Sequence, residues 1–417
     1  MTTSSIIRPH LRFELAKALH NYIKAEANST YFYFGNGSTD AQLEKPLLLN
    51  RISPLDVYLC YDRINWEKSK VFPDYDPLNV EQNTHVLTAN NRIYKCLDNL
   101  SNSDSLIEPS HTTFNPVRYE DGYVWKYLYT LSNREIHNYL TDEYIPINIS
   151  PALNSIQNQT EFNAVAGTID SIKVIEGGSN YTRASIEITG DGTGCTAVPV
   201  IQSGIIKAIK VTNPGQGYTN ATVKITGTGI DATAEVRVSP KFGHGSNIIK
   251  ELNASNVMVI SQHMVTEENL ESIPEEFSYN TIGLFSEISG NVTGRVTLPL
   301  LYKLKVSDSS KFTVDDVSIN SNINGSIVHR EVSNGSHYLY VTGLPNNLNH
   351  TELLNKSISS GTTITGIVLE VVSAPFSIPK DYNILHLETL DTVKEITNKN
   401  LDILRIVIKG LPTQIEP

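Results

Sequence analysis

A chain of 417 residues, 40% hydrophobic and 18% charged, is long enough for two to four cores of ordinary size and too apolar to be disordered. Its formal charge is -11, and no stretch gathers Lys and Arg densely enough to neutralise a run of phosphates, so nucleic acid is not an expected partner. No window approaches the ~18 apolar residues of a membrane span, and MTTSSIIRPHLRF has no apolar core of signal-peptide length, so no membrane association is expected. Three cysteines, Cys60, Cys96 and Cys195, fit neither a disulfide framework nor a zinc site and read as buried free thiols, consistent with assembly in a reducing cytoplasm.

The first element reads as a helix between His10 and Ala27, with Leu11, Leu15, Leu19, Tyr22 and Ile23 on one face. The chain then turns strand-like through TYFYFGN, DVYLCYDRINW and HVLTANNRIYKCL, where Asn90 and Asn91 tolerate positive φ in a tight hairpin. In DGYVWKYLYTL, residues 121 to 131, the side chains Tyr123, Trp125, Tyr127 and Tyr129 share one strand face, opposite Val124, Lys126 and Leu128. Such a row is the buried face of a sheet, an interface core, or a platform for sugar rings; the four are taken as interface candidates. Ser132 and Glu135 form a capping box that opens a short helix through Leu140. Pro146, Pro151 and the polar run NSIQNQTEFN mark a boundary.

Beyond it lies a repeat: residues 167 to 201 align without a gap on 204 to 238, an offset of 37, with 15 of 35 positions identical. Tyr181 matches Tyr218, and Gly190 and Gly192 match Gly227 and Gly229. Each copy reads as strand, Gly-rich turn, strand, Gly-rich turn, strand. The second copy contains Gly227, Gly229 and Ala232 in the G-x-G-x-x-A spacing of a dinucleotide-binding turn. The segment ATAEVRVSP after that turn alternates like a strand and ends at Pro240, so no helix N-terminus is available to hold phosphate, and no cofactor is expected. GDGTG is not a calcium loop either, because Asp191 aligns with Thr228.

After Pro240, GHGSN places His244 between Gly243 and Gly245, which reads as a turn whose imidazole bonds locally. Asp74 and Asp76 in PDYDP read as turn caps before cation ligands. No HExxH, GxSxG or GxxxxGK[ST] is present, and the chain is not expected to be an enzyme or to hold a metal. The C-terminal third offers strands at NTIGLFSEISG, LLYKLKVS, HYLYVTGL, TGIVLEVVS and DILRIVIKG, with turns at NINGS and VSNGS.

Four strings occur in order: RIYKCLDN, DGYVWKYLYTL, KFGHGSNIIKELNASNVMV and YNILHLETLDTVKEITNKNLDILRIVIKG. Together they resemble successive landmarks of the baseplate wedge subunit of T-even-type contractile-tailed phages, the wedge component known as gene product eight. The resemblance covers residues 1 to about 145 and 241 to 417; the tandem repeat is similar to modules of many tail and virion proteins. The chain departs from the family at Thr389 to Glu395, where a basic, proline-containing segment would be expected. The resemblance implies a non-enzymatic virion protein, a homodimer that contacts other baseplate wedge subunits and transmits the change that triggers sheath contraction. A carbohydrate- or receptor-binding tail protein is the alternative.

The expected architecture is mainly β (α+β), a multi-domain β-sandwich-like body with a few short helices. Residues 1–150 and 241–417 would form the body, and residues 163–239 an inserted tandem-repeat β domain.

Overall fold

The computed structural model describes residues 5–6, 9–36, 45–79, 82–261, 274, 277–288, 297–313, 316–345, 348–361, 364–375, 382–396, 403–410 and 414–415. The fold is mostly β and multi-domain, with 51% of residues in strands and 12% in helices. Two compact units divide the chain: Met1–Lys17, Leu59–Asn256 and Lys409–Pro417 form the first, and Ala18–Tyr58 with Val257–Ile408 the second. Residues 397–402, within the last of the four strings, lie outside the described residues.

The helix predicted near the N-terminus spans Pro9–Ala25, but its buried face is Phe13, Ala16, His20 and Ile23. Leu11, Leu15 and Tyr22 are 50%, 44% and 37% exposed. Both stripes have helical spacing, and periodicity says that a face exists without saying which stripe the rest of the chain covers.

In the first unit an antiparallel sheet runs His85–Leu87, Arg92–Asp98, Val124–Thr130, Val117–Arg118. Tyr94, Cys96, Tyr123, Trp125 and Tyr127 pack with Val86 and Phe72 into one aromatic core. Tyr129 leaves that row. Tyr94 pairs with Tyr127 while its neighbour Ile93 pairs with Tyr129, so the strand carries one extra residue there and Tyr129 turns to the other face. There its hydroxyl donates to the Pro146 carbonyl at 3.0 Å and lies 2.7 Å from the Tyr61 hydroxyl. The capping box forms as expected, with Ser132 and Glu135 opening Asn133–Asn138. The polar run NSIQNQTEF is a helix too, Ile156–Phe162, capped by Ser155; its buried Thr160 hydroxyl reaches the Leu128 carbonyl at 2.8 Å. Tertiary anchoring, not propensity, makes that segment helical.

The repeat folds by exchange of strands between its two copies. Ala184–Gly190 pairs with Ala221–Gly227, so that Ala184 faces Gly227 and Gly190 faces Ala221 across a local twofold centred on Glu187 and Lys224. A four-stranded sheet runs Thr193–Gln202, Ile205–Gln216, Ile169–Ser179, Ile230–Val238, and its outer pairs again join one copy to the other. Gly178 and Gly215, 37 positions apart, both have φ of 64°.

The predicted turn glycines Gly190, Gly192, Gly227 and Gly229 have no positive φ, and close approach is what requires them. A Cβ on Gly192 would lie 2.5 Å from the Tyr218 ring, and one on Gly229 would collide in the same way with the Tyr181 ring. Each repeat therefore seats its tyrosine on the other repeat's glycine. Gly190 and Gly227 press closely on the Asn220 and Arg183 carbonyls.

In the second unit Tyr302–Val306, Ser336–Thr342, Ile323–Ser333, Asp316–Ile319, Ser357–Ser360 and Ile364–Ser373 close into a barrel, in that order. A sandwich was expected there. Sandwich and barrel strands alternate alike, and it is the pairing of the first strand with the last, Lys303 opposite Ser373, that closes the sheet. The turn at VSNGS forms with Asn334 and Gly335 both at positive φ, as a tight hairpin demands. NINGS instead lies at the start of a strand, and the turn sits at Asn320 and Ser321. A separate five-stranded sheet runs Thr297–Pro299, Pro46–Arg51, Tyr31–Gly35, Phe277–Ser286, Asn383–Ile396.

Gly192→Ala and Gly229→Ala should each lower stability by about 1–3 kcal/mol through overpacking against the tyrosines. Urea midpoints would show it. Midpoints unchanged by both substitutions would remove the packing explanation.

Candidate functional site

Lysines in the middle of buried strands need a reason, because an unpaired buried charge is costly. Lys95 on Arg92–Asp98 and Lys126 on Val124–Thr130 face each other across the sheet, on the side opposite the aromatic row. Both are buried, at 5% and 3% exposure. Toward Lys95 comes the segment after Pro240. Gly243 and Gly245 hold φ of 82° and 89°, which turns the chain so that His244 points inward and is 4% exposed.

The imidazole is held from both sides. Its Nδ1 meets the Glu251 carboxylate, and its Nε2 lies 2.9 Å from Asp170 Oδ2. Glu251 also takes the Gly245 amide at 2.6 Å and lies 3.0 Å from Lys95 Nζ. The Tyr75 ring meets the imidazole edge to face at 4.5 Å, and Lys95 Nζ sits 5.0 Å over the same tyrosine ring. Lys126 Nζ donates to the Phe114 carbonyl.

The expected local turn is therefore present at Gly243, His244 and Gly245, but the imidazole also reaches a residue 74 positions away in the repeat. Burial disfavours its charge, yet Glu251 and Asp170 together outweigh that and raise its pKa above 6.5. With a carboxylate on each nitrogen, the imidazolium donates twice. Burial likewise pushes Glu251 up, but Lys95 and His244 more than offset it and hold its pKa well below the usual carboxylate range. Burial lowers the pKa of Lys126.

A second ionic group lies beside the first. Asp74 meets Lys173 at 2.5 Å and Arg237 at 3.2 Å, and Asp76 meets Arg237 at 2.9 Å. Asp76 also caps the Leu78 amide at 2.9 Å. The two aspartates of PDYDP are thus spent on the repeat's cations and on one turn. The repeat's own ends meet where Ser239 donates its amide to Thr168 O at 2.8 Å and the Thr168 amide donates to the Ser239 hydroxyl at 3.1 Å.

A cavity of ≈ 520 Å³ adjoins the cluster, lined among others by Arg118, Lys126, Asp170 and His244. Its cations are engaged: Arg118 bonds Asp98 at 2.9 Å and the Gly122 carbonyl at 2.6 Å, Lys126 bonds the Phe114 carbonyl, and His244 bonds its two carboxylates. Both nitrogens of His244 face carboxylates, an arrangement that holds a proton in place.

Tyr123, Trp125, Tyr127 and Tyr129 are interior side chains at 0–3% exposure and offer no ring face to a sugar or a partner. Gly190, Gly192, Gly227 and Gly229 stay within the repeat, apart from His244. Sequence reasoning passed over Lys95, Lys126, Asp170 and Glu251. The available signal was a lysine interrupting an apolar strand, in RIYKCL and in YVWKYLY.

Compared with models of known protein families and with curated proteins, the chain matches none.

Because the folded pKa of His244 is raised, its stabilising contribution is complete below about pH 6.5, the unfolded value, and is lost as pH rises through the folded pKa. His244→Gln should flatten that alkaline fall in urea-derived stability; an unchanged slope would mean that the imidazole is not charged in the fold. Excising residues 168–239 and bridging the ends should leave a cooperative but lower thermal transition, since Asp74 and Asp76 lose their cations and His244 loses Asp170. Asp74→Asn in the shortened chain should recover part of the loss. A broad, non-cooperative melt would show that repeat and remainder fold only together.

Proposed function

We propose that the protein is a structural component of a phage tail baseplate wedge, assembled in the host cytoplasm into the virion. In this reading it acts as a homodimer that joins other wedge subunits and transmits the change that triggers sheath contraction. One observation carries the reading beyond the string resemblance. Three of the four strings, far apart in sequence, meet at one buried site: RIYKCLDN supplies Lys95 and KFGHGSNIIKEL supplies His244 and Glu251 to the ionic cluster, and DGYVWKYLYTL places Lys126 alongside, bonded to the Phe114 carbonyl. What the strings have in common is thus a rigid ionic joint, suited to a part that must hold its shape while its neighbours move.

The alternative, a carbohydrate-binding tail protein, loses the support of its aromatic platform, because Trp125 is fully buried. The barrel and the exposed repeat strands would have to supply any glycan contact.

The purified chain should run as a dimer in light scattering and should co-assemble with baseplate proteins encoded beside it. Disrupting its gene should give particles with defective tails. A monomer that joins no tail protein, with normal particles after disruption, would falsify the assignment.

A further inference from the structure

On the far side of the Gly243–Gly245 turn the first unit holds a second pocket, of ≈ 620 Å³, within the range of small-molecule sites. Its floor is the Lys95–Glu251 pair under Tyr75, and its walls come from Arg12, Phe13, the segment from Pro240 to Asn247, and Lys250 to Ser255.

The charge here is opposite to that of the protein. Arg12, Lys95, Lys241 and Lys250 line the pocket against the single carboxylate of Glu251, in a chain of net charge -11. Glu251 is already shared between Lys95 and His244. Lys241 and Lys250 are exposed and make no ion pair among the described residues. Arg12 turns toward the Ser255 hydroxyl at 3.4 Å.

Beside these cations stands Phe242, 68% exposed, with Lys241 Nζ 5.4 Å from its ring centre. The ring sits on a closed turn: Gly243 donates its amide to Pro240 O at 2.7 Å, and the backbone of Gly243 packs tightly against the Val165 carbonyl. An aromatic ring held out of the core, beside Lys241 and Lys250 and over a concave floor, is complementary to a ligand that is itself part apolar and part anionic.

We propose that this pocket binds a small organic anion, setting an aromatic ring against Phe242 and two or more anionic oxygens between Lys241 and Lys250. A volume of ≈ 620 Å³ suits a compact ligand better than an extended acidic peptide. The site is independent of the wedge reading and would stand or fall without it.

Isothermal titration of the full-length chain tests it with three probes: ATP, which has a ring and phosphates; tripolyphosphate, which has the charge alone; and a decaglutamate peptide. ATP should bind one site, at least tenfold more tightly than tripolyphosphate, and should weaken as salt is raised. Phe242→Ser should reduce ATP binding about tenfold while leaving tripolyphosphate unchanged, and Lys241→Glu with Lys250→Glu should abolish both. All three side chains are exposed, so an unchanged melting temperature certifies the variants. Absence of saturable ATP binding, or binding indifferent to the charge reversals, overturns the proposal. Tighter binding of decaglutamate than of ATP overturns it as well and assigns the pocket to an acidic protein partner.

Discussion

The first unit depends on a constraint of low-dielectric electrostatics: a charge taken out of water must find opposite charge and hydrogen bonds in place. Lys95, His244, Glu251 and Asp170 meet that constraint jointly. The cluster joins one strand of the aromatic sheet, the Gly-flanked turn with the short helix after it, and the first strand of the repeat. Replacing such a group by apolar side chains is often neutral or stabilising, so its value lies in specifying one geometry. Gly243 and Gly245 belong to the same device, because only their positive φ brings the imidazole between its carboxylates.

The repeat solves a different problem. A 37-residue strand-rich copy has too little apolar area to close a core alone, and each copy pairs its strands with those of the other. The tyrosine-on-glycine contacts at Tyr181 with Gly229 and Tyr218 with Gly192 then fix the register of the exchange. The module is tied to the rest of the unit through Asp170, Lys173 and Arg237, all on its outer strand pair. The duplicated tyrosines are core side chains, at 4% and 5% exposure.

These features together describe chemistry arranged to hold shape. Lys95, His244, Glu251 and Asp170 are locked in ion pairs, and the aromatic row that invited a binding role is interior. The exposed Phe242 with Lys241 and Lys250 is distinct from both. The proposed structural role rests on the first of these features and the proposed anion pocket on the last.

Local order was legible in the sequence wherever short-range rules act. The Ser132–Glu135 capping box, the alternating strands and the turn at Asn334–Gly335 follow from hydrogen bonds and φ preferences within a few residues. The 37-residue repeat was legible for the same reason, since identity at fixed offset needs no knowledge of the fold. What only the tertiary structure decided is which face each element buries and which distant residues meet. The helix Pro9–Ala25 buries Phe13 and Ile23 and leaves Leu11 exposed, because both stripes satisfy the same period. One extra residue moved Tyr129 off its row. His244 finds Asp170, 74 positions away, because sheet pairing carries the repeat's first strand to it. Periodicity is a property of neighbours along the chain; desolvation and charge pairing are properties of neighbours in space, and those exist only once the chain has folded.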